Sequence, residues 1–348
     1  MIARINFNIF CTIVIPTRND DYSGVTSEKF SFYLRHLANQ LKNSVHNFEI
    51  IIVEWNTIIN RLSIKSELMH KFDEYKNISI RFISVDKQYH SNYLFSNLKP
   101  YCGEGAVNVG IRRARGRFCV VKVHDSKYSD PLGEWLSQGS ARHGYIYRAN
   151  RVDYLEDPTN NQSELSEDLN IEIVYSKSDK DRYHTLACGD FMLMPTEIWH
   201  KIRGWSDSKN VVKTGYDGLT LAKSIGNGMK EYILPDNHKL IKIGHPNTYV
   251  KRSVSNIVLS SPNCFNSIIQ ITKKMKNYKI FFIFYVLISG LLNIPRKKAF
   301  GVPVDSWSRY ILNFQLRLYF SKFFYFDTVD WGLLNQQLEE IYISKIEV

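Results

Sequence analysis

Four apolar, β-branched runs mark the first third of the chain: Phe10 to Ile15, Phe48 to Val53, Ile78 to Val85 and Phe118 to Val123. Each is bounded by turn-forming residues and reads as a strand buried in a parallel sheet. Between them the spacing changes. Glu28 to Leu41 carries Phe30, Leu34, Leu37 and Leu41 on one helical face, and Leu62 to Tyr75 and Gly105 to Arg115 read as helices by the same rule. Strand and helix therefore alternate, which predicts a doubly wound α/β sheet with ligands bound beyond the carboxyl ends of its strands.

Residues 150–182 are polar, acidic and without periodicity, the pattern of a mobile loop or lid. Order returns over Thr185 to Met194, followed by a short helix from Pro195 and a second around Leu219 to Ile225, stopped by Gly226 and Gly228. Strands are expected near Tyr232 and over Leu240 to Ile243. Past Lys251 the character changes: Tyr278 to Ile294 is strongly apolar and flanked by basic residues on both sides. Its uncharged part, Ile280 to Ile294, is 15 residues, short of the roughly 20 that cross a bilayer as a helix. An interfacial, re-entrant or buried helix suits it, and Leu318 to Phe326 offers a second aromatic face. The pattern divides the chain into an α/β domain over residues 1–250 and a helical, basic and aromatic region over 251–348.

Composition supports a globular protein: 44% of the 348 residues are hydrophobic and 14% aromatic, which excludes global disorder. The formal charge is +11, and its distribution matters more than its size. From Asn237 to Val304 there is no acidic residue, while eleven basic ones stand there: Lys239, Lys242, Lys251, Arg252, Lys273, Lys274, Lys276, Lys279, Arg296, Lys297 and Lys298. A solvated basic face is one reading of this. An anionic partner is the other, because clustered cations repel unless counter-charge is supplied. No nucleic-acid-binding module is recognisable, so the expected partner is an anionic membrane surface and not nucleic acid. The five cysteines form no CxxC pair and suit a reducing compartment. The N-terminus lacks the features of a signal peptide. Together these place the protein in the cytoplasm, peripheral on the inner face of a membrane; if the apolar run does not meet lipid, it would serve as a core or homo-oligomer-forming helix.

The chemistry-bearing residues lie at strand ends. The first strand closes with Pro16, Thr17, Arg18, Asn19 and Asp20, and the second with Glu54. An acid at the tip of the second parallel strand can accept hydrogen bonds from a ribose or base, although acids also end strands for solubility. The order strand-IPTRN, helix, strand-EIIIVEW, Asn108-x-Gly110 with Ala114-x-Gly116, and a strand ending in acid resembles glycosyltransferase family 2 and the wider GT-A fold. Ala187 to Met194, Arg203-Gly204-Trp205, Gly215-Tyr216-Asp217 and His245 continue the pattern, so that the likeness spans about residues 10 to 250.

That resemblance implies a Rossmann-like domain binding a nucleoside-diphosphate sugar. Pro16, Thr17 and Glu54 would lie around the base and ribose, and Asn108 and Arg113 at the phosphates or donor pocket; Arg113 also reads as a solvated helix residue. The family's metal motif, Asp-x-Asp after the fourth strand, is here Val123-His124-Asp125, without its first aspartate. Asp125 is nevertheless the expected ligand of a divalent cation, Mn²⁺ or Mg²⁺, with His245 completing the shell and His124 or Asp130 less well placed. Asp217 and Asp190 stand where such enzymes keep acceptor-side acids. Asp217 would take the proton from the attacking hydroxyl, although it also fits a helix N-cap, and Asp190 is the next candidate base. The implied function is sugar transfer, with inversion, from a nucleotide-sugar donor to a glycan or lipid-linked acceptor. A non-catalytic nucleotide- or glycan-binding relative is the alternative that the incomplete Asp-x-Asp allows.

Overall fold

The computed structural model describes residues 5–20, 27–58, 60–69, 71–93, 96, 100–155, 171–172, 190–205, 216–244, 331–333 and 335–346. The four apolar runs form β1 (Ile9–Thr17), β2 (Asn47–Trp55), β3 (Ile78–Val85) and β4 (Phe118–Lys122). All four are parallel, in the spatial order β3-β2-β1-β4. Their residues are buried almost throughout, because helices cover both faces as parallel sheets require.

Four helices connect these strands: α1 (Ser27–Leu41), α2 (Ile64–Leu68), α3 (Lys87–His90) and α4 (Gly103–Arg113). In α1 the buried Phe30, Tyr33, Leu34, Leu37, Ala38 and Leu41 make one apolar stripe. The helix expected over Leu62 to Tyr75 is much shorter. Ser63 caps its start, but Met69 turns extended, and Phe72 and Tyr75 reach the core from successive turns. Their spacing imitates a helix because turns can bury the same residues. Glycine lets α4 approach the sheet closely: a Cβ on Gly110 would come within 2.4 Å of Val14, and one on Gly116, past the helix end, within 2.6 Å of the Thr12 backbone nitrogen. Beneath that turn lies the fully buried Glu49, which accepts from Thr12 Oγ1 at 2.7 Å and Arg115 Nε at 2.8 Å and pairs with Arg81 at 3.2 Å.

After β4 the chain alternates between two sheets. It forms β5 (Ser126–Tyr128), α5 (Asp130–Ser137), β6 (Tyr145–Arg148), β7 (Asn150–Leu155), β8 (Ile171–Glu172), β9 (Phe191–Pro195), α6 (Thr196–Lys201), α7 (Tyr216–Gly226), β10 (Lys230–Ile233) and β11 (Lys239–Gly244). The larger sheet runs β10-β6-β9-β4-β1-β2-β3 and ends on a last strand, β12 (Glu339–Ser344); the smaller runs β5-β11-β7-β8. The larger is mixed, since β9 lies antiparallel between β4 and β6, and β12 lies antiparallel to β3. Thus the segment 150–182, expected as a loop, opens with a strand of the smaller sheet; the rest of it, apart from β8, lies outside the described residues.

Of the region 251–348, the described part is a 3-10 turn at Trp331–Leu333 and β12. It is a strand of the main sheet where a helical appendage was expected. Arg113 fixes this return, donating to the Gly332 and Leu333 carbonyls at 2.7 and 3.0 Å and pairing with Glu340 at 2.8 Å. The apolar run Ile280 to Ile294 lies outside the described residues, and among the described ones no helix is long and apolar enough to cross a membrane.

Candidate active site at the carboxyl edge of the sheet

The parallel strands deliver their carboxyl ends to one edge, where open α/β sheets bind ligands. Thr17 ends β1 there, and Arg18 to Asp20 follow it. Thr17 pairs across the sheet with Glu54 at the end of β2, and Pro16 pairs with Val53. Glu54 is 2% exposed and accepts a hydrogen bond from Ser63 Oγ at 2.8 Å. Burial raises its carboxyl pKa, opposed by the hydrogen bonds from Ser63 and the Ile64 backbone. Around it, Asn19 Nδ2 donates to the Leu62 carbonyl at 2.5 Å, Arg18 pairs with Asp20, and Asn56, in the left-handed region at φ 54°, donates to the Pro100 carbonyl at 2.7 Å. Three loops are stitched together beside the strand tips.

A second group gathers where the chain leaves β4. Asp125 sits three residues past Lys122 and opens into β5, so it stands at the junction of the two sheets. Because β9 runs antiparallel to β4, with Phe191 opposite Lys122, Asp190 arrives at the same edge. The smaller sheet faces them with cations. Leu240 of β11 pairs with Arg151 of β7, and Lys242 lies two residues on, so Arg151 and Lys242 leave from one face. Lys242 Nζ is 3.2 Å from Asp125 Oδ2, and Arg151 Nη1 is 2.5 Å from Asp190 Oδ2.

Burial alone would raise the Asp125 carboxyl, but Lys242, His124 and Lys122 outweigh it and hold it below the usual aspartate value. Asp190 goes the other way: burial raises it, against the pull of Lys242 and Arg151. Lys242 is pulled down by burial and raised further by Asp125 and Asp190, so it stays an ammonium. Burial lowers His124, keeping it a neutral imidazole near pH 7. Desolvation, with Glu104, Asp125 and Asp20 adding to it, pushes the partly buried Tyr101 well above the ordinary phenol, so it remains protonated. Asp125 Oδ1 is buried and accepts no hydrogen bond among the described residues.

The site residues expected from sequence thus separate into groups. The structure brings Asp125 and Asp190 together, and sets Pro16, Thr17 and Glu54 at the neighbouring strand ends. Asn108 and Arg113, expected at the donor phosphates, are engaged elsewhere. Asn108 is fully buried, its Nδ2 donating to the Trp205 carbonyl and its Oδ1 accepting from the Trp205 backbone, both at 2.8 Å. It clasps the turn at Gly204, whose φ is +63°. Arg113 anchors the returning C-terminal segment. Asp217 is the second residue of α7, with its side chain outside the described part, and His245 lies outside the described residues.

The donor set bears on the expected divalent cation. Such an ion needs several hard oxygen ligands, and among the described residues no group of three His, Cys, Asp or Glu is placed to hold one. Both acids of the cluster already face a cation, which a dication would have to displace against like-charge repulsion. The described residues therefore do not fit Mn²⁺ or Mg²⁺. Sequence reading missed Arg151 because it falls in the stretch taken as a loop, and it counted Lys242 only as part of a basic tract. The signal was Lys242 itself, a lone charge between Ile241 and Ile243 inside the strand expected over Leu240 to Ile243.

No family model matches the chain, and no curated protein matches it in sequence. Among solved structures, S. aureus TarS 1-349 is similar over 90% of this chain and 87% of its own, at 13% identity and a TM-score of 0.47. The same TarS fragment in complex with UDP gives 0.46. The catalytic domain of Drosophila beta1,4galactosyltransferase 7 in complex with xylobiose covers 70% of this chain and 74% of its own, at 12% identity and a TM-score of 0.36. A mutant of that enzyme, in complex with manganese, UDP-Gal and xylobiose, gives 0.37. With TM-scores below 0.5 these matches do not bear on the activity, which rests on the side chains at the sheet edge.

Proposed function

We propose that the chain is a glycosyltransferase that moves a sugar, with inversion, from a nucleoside-diphosphate donor to a hydroxyl of a glycan or lipid-linked acceptor. The observation that carries this reading is the paired-charge cluster Asp125–Lys242 and Asp190–Arg151, set at the carboxyl edge of a parallel sheet beside the buried acid Glu54. Such an edge suits a nucleotide, with Glu54 and Thr17 near base and ribose and the charge cluster near the reacting centre. In the transfer the acceptor oxygen bonds to the sugar's anomeric carbon as the bond to the diphosphate breaks, its electron pair leaving with the diphosphate. The acceptor's proton passes to a carboxylate. Asp190, raised by burial, stands in the cluster; Asp217 is the second candidate for this role.

The test is a panel of nucleoside-diphosphate sugars, read by thermal shift and by release of the nucleoside diphosphate. At least one donor should raise the melting temperature and be turned over. Asn in place of whichever aspartate is the base, Asp190→Asn or Asp217→Asn, should keep donor binding and lower turnover by roughly a hundredfold or more. A panel with neither binding nor release sinks the reading.

A further inference from the structure

We propose that Lys242, backed by Arg151, supplies the positive charge that holds the diphosphate of the nucleotide, in the place a divalent cation would take. This rests on the glycosyltransferase reading above and goes beyond it, since that reading leaves open what neutralises the leaving group. A departing diphosphate needs positive charge beside it, and lysine, arginine or a metal ion can each supply it. Here the geometry favours the side chains. The expected Asp-x-Asp is short of one acid, and the remaining Asp125 already has an ammonium 3.2 Å away. Asp190 holds Arg151 on the same face of the smaller sheet. Among the described residues, the carboxylates of Asp125 and Asp190 each already face a cation, which leaves them no surplus negative charge to draw a dication.

Lys242 is also placed to reach a ligand. A quarter of its side chain is exposed, whereas Asp125 beneath it is nearly closed off. An ammonium has three protons to donate, and among the described residues Asp125 is its one carboxylate partner within 4 Å. It can keep that contact and donate to a phosphate oxygen from its open side. Asp125 then acts as a positioning residue that fixes the ammonium at the sheet junction. Lys122, the other lysine of the cluster, is fully buried and turned onto the Val123 and Ser126 carbonyls, which leaves Lys242 as the lysine at the opening.

The experiment is titration calorimetry of the full chain with UDP and with GDP, in EDTA and in Mn²⁺, for wild type, Lys242→Gln and Lys242→Arg. Gln keeps a donor for Asp125 without the charge, and melting temperatures check that each variant is folded. For whichever nucleotide binds, the wild-type affinity in EDTA should lie within about threefold of that in Mn²⁺. Lys242→Gln should weaken it by roughly tenfold or more, and Lys242→Arg should restore most of the loss, as a charge-assisted contact requires. Binding that needs Mn²⁺, or a Lys242→Gln protein that binds as wild type, overturns the role of Lys242 while leaving the transferase reading in place. Should Lys242→Gln fail to fold, the wild-type comparison between EDTA and Mn²⁺ still decides. If neither nucleotide binds wild type in either condition, and no other nucleotide sugar shifts its melting temperature, the transferase reading falls and this inference with it.

Discussion

At the end of β4 the Lys122 ammonium is folded back onto the turn that follows, donating to the carbonyls of Val123, at 3.1 Å, and Ser126. Burial lowers its pKa to about 7 from 10.5, with Asp125 opposing the shift. The folded protein therefore sheds this proton near pH 7, whereas the unfolded chain keeps it until about pH 10.5. Between those values the unfolded state binds more protons, so stability rises with pH, by about 1.4 kcal/mol per unit for one group. Below pH 7 the whole cost of burying the charge is present. Cys11 and Cys119, raised by burial from 9.0, act in the opposite sense above pH 9. Urea denaturation at pH 7 to 9 should show wild type gaining on the order of 2 kcal/mol relative to Lys122→Met. Equal slopes in the two proteins would mean that Lys122 keeps its proton throughout. This lysine was not legible as special in the sequence. It closes an apolar run as an ordinary strand-ending residue would, and only the turn at 123–126 makes it internal.

Elements were legible where one period dominated. The runs of β1, β2, β3 and β4 and the stripes of α1 and α4 lie within two residues of where the pattern puts them. Of the smaller sheet β11 was legible, expected over Leu240 to Ile243, while β5, β7, β8 and β12 were not, because they are short or lie in polar sequence and acquire meaning only from their pairing. Asp125 and Asp190 were found through the family resemblance, but the cations opposite them depend on β7 and β11 meeting far along the chain. The same holds for Arg113: the resemblance suggested phosphate and its place on a helix a solvated residue, while its partners at Gly332, Leu333 and Glu340 are more than 200 residues away, the separation being 219 for Gly332. Arg113→Ala should release β12 from the sheet edge, lowering stability by about 2–4 kcal/mol through lost charged hydrogen bonds. Amide exchange across Ile341 to Ser344 should accelerate, and nucleotide affinity should stay within a factor of about two. A variant that loses nucleotide binding with β12 still protected would return Arg113 to the donor site.

At the scale of the whole molecule, β12 is a strand of the larger sheet although it lies past the division drawn at residue 250. The described part of the smaller sheet ends with β11 at Gly244, and β12 pairs with β3 of the larger sheet; residues 245–330 lie outside the described residues. The fold class read from sequence survives this, since β12 adds an edge strand to an α/β sheet whose parallel strands were already evident. What changes is the meaning of the last residues, which add a strand to the sheet whose edge carries the candidate site. Deleting everything past Lys251 would strip β3 of its partner and expose an edge.

The intact backbone keeps β12 at an effective local concentration on the order of millimolar beside its groove. Severing the chain after folding, at a protease site inserted between Val329 and Asp330, turns that strand into a separate peptide ligand of its own protein. The peptide should co-elute with the body at tens of micromolar and come away on dilution, and Arg113→Ala should make it come away sooner. A peptide lost at once from an otherwise folded body would show that β12 depends on the covalent link and not on the edge it fills.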